Sequence, residues 1–157
     1  MNMHSPAMNS GEMFWFKGTL VNIRLSWNAG EDRVSVVEHY MPYGESPPLH
    51  VHRNEDEVFH VLDGSMRIHI DGSEAVVHAG QTVLAPKPHS FRVESRDGAR
   101  CLTITSGGDF ENMIREMGEP ALDNGLPPQI EPTPAMIVAL YEACARNGID
   151  IIGSPLS

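Results

Sequence analysis

The sequence predicts an all-β chain, an antiparallel sandwich or barrel of which the jelly roll is one version, with a short α-helical extension at its C-terminus. Three observations lead there. Short apolar segments recur at close, regular intervals between residues 19 and 105, with turn residues between them. Asp63-Gly64 and Asp71-Gly72 fall between such segments, where tight hairpin turns favour Asp-Gly. Beyond Gly107 the character changes to one short helical segment, a proline-broken connector and a second helical segment.

Taken in order, residues 1–12 read as a loose polar arm. Met13-Phe14-Trp15-Phe16 is an apolar patch that must pack on the barrel or on a second chain. Gly18–Leu25 and Val34–Met41 read as strands, divided by the turn chemistry of Asn28-Ala29-Gly30. Further strands are expected at Leu49–His52, Glu57–Leu62, Ser65–Ile70, Glu74–His78, Thr82–Leu84, Ser90–Glu94 and Arg100–Thr105. Phe110–Met117 reads as a helix capped by Asp109 and Gly118. Thr133 and Pro134 then start a second helix, with Met136, Ile137, Leu140 and Cys144 as its buried stripe and Arg146 and Gly148 closing it. The tail Gly148–Gly153 is expected to return as a strand or pack on the barrel. This gives an arm (1–12), a barrel (13–107) and an extension packed on it (108–157), one domain overall.

Composition narrows the functional classes. A chain of 157 residues is long enough to bury a core. A net charge of -10 argues against a nucleic-acid partner, because phosphate contacts need a basic face. No segment approaches the roughly 20 apolar residues of a membrane span, and the N-terminus has no signal-peptide pattern. A cytoplasmic location follows, with Cys101 and Cys144 as buried, reduced thiols.

The chemistry concentrates between Gly44 and Gly64. Alternation along a strand points His50 and His52 to the same face. They follow Pro47-Pro48 and precede Glu57, which opens the apolar run Val58–Leu62. Two imidazoles and a carboxylate are the mixed nitrogen and oxygen set that suits one divalent transition metal: Fe, Mn, Ni, Cu or Zn. Counting from Glu57, Phe59 and Val61 face inward and His60 outward. Glu55 and Asp56 read as solvated loop charges. His39 and His69 read as ordinary interface or surface residues; His78, a possible substitute ligand, sits before the Ala79-Gly80 turn with no partner spacing, and His4 lies in the arm.

The order glycine, five residues, His-x-His, four residues, Glu, six residues, glycine resembles the first motif of the cupin superfamily, matched here by Gly44, His50, His52, Glu57 and Gly64. The segment from Gly80 through Pro86 to His89 and Val93 is similar to the family's second motif. It lacks the glycine after the proline, brings the histidine two residues early and has Val93 where asparagine is usual. The resemblance implies a jelly-roll β-barrel (double-stranded β-helix) with His89 as fourth metal ligand, because a two-residue deletion preserves strand parity. Phe91 and Val93 would share its face, so Phe59, Val61 and Phe91 are the expected pocket.

The chain as a whole, with its proline-broken helical tail, is similar to quercetinase-like monocupins. That implies a dioxygenase acting on a small enolic or aromatic substrate with O₂, with Glu57 as the catalytic base, its pKa raised by burial. It also implies a homodimer. The same ligand set serves non-oxidative isomerases, decarboxylases or hydrolases, or a module that binds a small molecule without turnover.

Overall fold

The computed structural model describes residues 11–85 and 88–157. Residues 1–10 of the expected arm, including His4, and Pro86-Lys87 of the second motif lie outside the described residues. Among the described residues twelve strands and two helices follow one another: β1 (Glu12–Phe16), β2 (Thr19–Leu25), β3 (Ser35–Met41), β4 (His50–His52), β5 (Glu57–Asp63), β6 (Ser65–Ile70), β7 (Ser73–His78), β8 (Thr82–Leu84), β9 (His89–Val93), β10 (Ala99–Thr105), α1 (Asp109–Met117), β11 (Glu119–Pro120), α2 (Pro134–Arg146) and β12 (Ile149–Ile151). No helix among the described residues is long and apolar enough to cross a membrane.

The strands form two antiparallel sheets, ordered β11-β1-β2-β3-β10-β5-β8 and β12-β4-β9-β6-β7. Their facing sides make a jelly-roll barrel. Period-two patterning is visible in β5, where Glu57, Phe59 and Val61 are buried and Val58, His60 and Leu62 are less so. One core cluster, including Phe59, Val61, Met66, Ile68, Phe91 and Cys101, fills the barrel. A second, with Phe16, Val37, Met113, Ile114, Cys144 and Ile149, joins the barrel to α1 and α2.

Most strand expectations hold within two residues, and the tail does return as a strand. Met13–Phe16 is part of β1, which pairs with β2 and β11 and buries Phe16. Both cysteines are free and buried.

Three expectations are corrected. Asp71-Gly72 closes the β6–β7 hairpin with both residues at positive φ, but Asp63-Gly64 links β5 and β6, which lie in different sheets. There the chain changes sheets, and Gly64 (φ 78°) is required because a Cβ would lie 2.4 Å from the carbonyl oxygen of Gly98. Asp109 does not cap α1: the N-cap is Gly108, without a side-chain bond. Of the predicted stripe of α2 only Cys144 is buried, with Ala143 beside it, while Met136 and Ile137 are exposed. Thr133 caps that helix as expected, accepting from the Met136 N–H at 3.2 Å.

Candidate metal centre

The two sheets bring four predicted residues to one point. His50 lies directly across from His89 where β4 pairs with β9, and β12 holds the other side of β4, with Ile149 opposite His52 and Ile151 opposite His50. Glu57 enters from the facing sheet. One donor atom from each of His50, His52, Glu57 and His89 lies within 4.8 Å of all the others. Glu57 Oε2 is 2.7 Å from His89 Nε2, 2.8 Å from His52 Nε2 and 4.0 Å from His50 Nε2. The shortened second motif therefore does not withdraw His89, which is fully buried.

Second contacts fix the ring orientations. His50 Nδ1 lies 2.8 Å from the Pro48 carbonyl oxygen, and His52 Nδ1 lies 3.1 Å from Glu55 Oε1. Each Nδ1 donates to its oxygen, which leaves the Nε2 lone pair facing the centre. His52 Nε2 is buried and, although close to Glu57, has no hydrogen-bond partner among the described residues. An orphaned imidazole nitrogen aimed at a carboxylate and two further imidazoles fits a divalent transition ion. The His/Glu cluster could hold such an ion, and its donors alone do not select the element.

Glu55 is the residue that sequence reasoning missed. Read as a solvated loop acid, it is buried. Its Oε1 accepts from His52 and also from the Phe110 N–H at 3.0 Å, one of the unpaired donors in the first turn of α1. It thus ties the helix to the His52 ring. The available signals were its i,i+3 spacing from His52 and the paired Gly107-Gly108, where a Cβ on Gly107 would lie 3.2 Å from Glu55 Oε2.

The electrostatics also correct an expectation. Burial pushes the Glu57 carboxyl up, but the charge of His52 and the contacts with His52 and His89 outweigh it and hold Glu57 well below the ordinary carboxylate range. Burial likewise opposes charge on His52, yet Glu57 and Glu55 together push it up. Burial, then the neighbouring His89, push His50 down to about 4. Glu57 is thus held in its charged form and His50 in its neutral form.

The centre opens onto a pocket lined by His50, His52, Glu57, Phe59 and Phe91, with Phe16, Phe110, Met113 and Leu140 among its apolar walls. Phe59 and Phe91 pack edge to face, with ring centroids 5.6 Å apart. Val61 is not on the pocket wall as expected; it lies in the barrel core, fully buried. His39, expected at a surface or interface, is buried and lines the pocket, with Nε2 2.8 Å from Thr19 Oγ1. His60 points away, towards Thr82 Oγ1 at 2.7 Å, and His69 and His78 lie outside the cluster.

Residues 36–105 match the family Cupin_2, described as Cupin domain. The chain carries a cupin domain. A quercetin 2,3-dioxygenase from Bacillus subtilis (strain 168) is 27% identical over 112 residues, which is 70% of this chain and 33% of that protein. The chain therefore spans about a third of that relative's length. Among solved structures, a sugar phosphate isomerase from a cupin superfamily of Silicibacter pomeroyi aligns with a TM-score of 0.54 and 19% identity over 64% of this chain and 75% of that one. A predicted oxalate decarboxylase from Thermotoga maritima gives a TM-score of 0.52 and 22% identity over 68% and 98%. KdgF from Halomonas sp. gives 0.52 and 17% over 61% and 87%. At these identities the structural likeness shows the cupin fold alone.

Proposed function

We propose that this cupin is a metal-dependent dioxygenase of a small enolic or aromatic substrate, with His50, His52, Glu57 and His89 as metal ligands. The observation that carries it is the convergence of three imidazoles and one carboxylate at the wall of an apolar pocket. A single four-donor set leaves an octahedral ion with two open positions, which a catalyst needs and a closed structural site lacks. When bound, the ion would polarise an enol or phenol oxygen and bring it beside O₂.

The chain's own residues would do the rest. Glu57, the carboxylate among the four donors, would take the proton of the substrate hydroxyl. Phe59 and Phe91 exclude water and fit a flat substrate. The sequence likeness to the Bacillus subtilis dioxygenase supports the oxidative reading over the non-oxidative reactions that the same ligands serve.

Oxygen uptake by protein loaded anaerobically with Fe(II), then separately with Mn, Ni, Cu and Zn, tests it against a panel of β-diketones and flavonols. Uptake that tracks stoichiometric metal is the expected result. Turnover without oxygen consumption, or none with any loaded form, removes the dioxygenase reading.

A further inference from the structure

Two charged side chains on the pocket wall, Lys17 and Glu45, have no part in the chemistry above. Lys17 sits at the tip of the β1–β2 hairpin, where Phe16 pairs with Thr19 and Lys17-Gly18 form the two-residue turn. Both turn residues have positive φ, 51° and 76°. Such a turn favours Asn-Gly, and a lysine held left-handed costs on the order of 1 kcal/mol. Local propensity therefore does not account for a lysine here.

The residue is exposed at the hairpin tip, but its side chain lines the pocket. Burial of the ammonium against the pocket wall pushes its pKa down, against an upward pull from Glu45. Among the described residues it makes no ion pair within 4.0 Å and it is the only Lys or Arg on the pocket wall. Its Nζ lies 5.9 Å from the Phe16 ring centroid. Glu45 lies on the same wall and feels the Lys17 charge, but not within ion-pair distance, so an anion that enters can pair with the ammonium directly.

His39 adds a second polar group. Thr19 Oγ1 donates to the Phe16 carbonyl oxygen, so it accepts from His39 Nε2–H. The neutral ring then presents Nδ1 as an acceptor. His39 feels both the Lys17 charge and the Glu57 charge, so these three groups line one continuous cavity.

We propose that Lys17 is the anion subsite of this pocket and that the substrate is a small enolic or keto carboxylic acid. Its carboxylate pairs with the Lys17 ammonium while its enol or keto oxygens face His50, His52 and Glu57. The inference rests on the metal-site reading for the second contact; the first stands on Lys17 alone. A charged hydrogen bond in a partly desolvated pocket separates a carboxylate from its neutral ester by about tenfold to a hundredfold in affinity.

The test is calorimetric titration of acetylpyruvate and its methyl ester into the metal-loaded protein, with metal content measured on every sample. Wild type should prefer the acid by tenfold or more. Lys17→Met keeps the apolar stem and should erase the preference at unchanged metal content, and Lys17→Arg should restore most of it. Equal affinity for acid and ester in wild type, binding of neither, or a preference that survives Lys17→Met overturns the proposal. Should the protein take up no metal, the metal reading fails by itself. The same titration on metal-free protein then decides the anion subsite, with an acid preference lost in Lys17→Met supporting it and its absence sinking it.

Discussion

His52 gives its Nδ1–H to Glu55 Oε1 across 3.1 Å, and the same oxygen takes the Phe110 N–H at 3.0 Å. One buried carboxylate therefore fixes the tautomer of a candidate ligand and anchors the first turn of α1. Carboxylates in this position typically govern metal affinity nearly as much as the ligands do. Glu55→Ala should weaken metal binding by about 10–100-fold, read by competition with a chromophoric chelator. Glu55→Gln keeps an acceptor oxygen and should lose less. Equal affinity in all three proteins would show that the His52 ring needs no such support.

Metal content gives the most direct check on the centre. Wild type should carry one equivalent of a divalent transition metal by elemental analysis, and the His50→Ala, His52→Ala double variant close to none. Binding to the folded state alone raises stability by about 4 kcal/mol at a thousandfold excess over Kd. Chelation should therefore lower the melting temperature of wild type and leave that of the double variant unchanged. Equal metal content in both proteins would remove these histidines from the site.

The candidate ligands were legible in the sequence because strand parity and glycine spacing are local properties. His50 and His52 share a face whatever the rest of the chain does, and the two-residue deletion before His89 left its parity intact. Glu55 was not legible, because its burial depends on the loop folding back beneath α1, which no period in the sequence encodes. The role of Asp63-Gly64 was hidden for a similar reason. Turn chemistry is the same whether the next strand pairs with the last one or crosses to the other sheet. In α2, Met136 and Ile137 fit the helical period but lie on a turn that the barrel does not cover.

The C-terminal strand is coupled to the centre through Gly148. Its φ is +72°, and a Cβ there would lie 2.4 Å from Asp109 Oδ2 and 3.1 Å from Asn54 Nδ2. Gly148→Ala should cost about 1–2 kcal/mol from backbone strain alone, a fall of roughly 2–8 °C in melting temperature. Adding Asp109→Ala relieves the contact but not the strain, so recovery should be partial. Because β12 pairs with β4 at His50 and His52, metal affinity should fall with stability. An unchanged affinity would mean that β4 holds its position without β12.

His39 should make the metal-free protein acid-sensitive. Burial, with help from the Lys17 charge, pushes its pKa from 6.5 down to about 4. A group depressed in the folded state contributes its full stability above the unfolded pKa, near 6.5. That contribution shrinks as the unfolded chain takes up the proton and is gone once pH has fallen through about 4. A gap from 6.5 to about 4 corresponds to roughly 3 kcal/mol. Urea unfolding of chelated wild type and His39→Gln at pH 7 and pH 4 isolates this, because the other groups titrate in both proteins. Wild type should lose about 3 kcal/mol more than the variant between the two pH values. Lys17→Met should narrow the loss in wild type, since removing a neighbouring positive charge makes the imidazolium easier to form. Parallel losses in all three proteins would show that His39 meets solvent freely enough to charge in place.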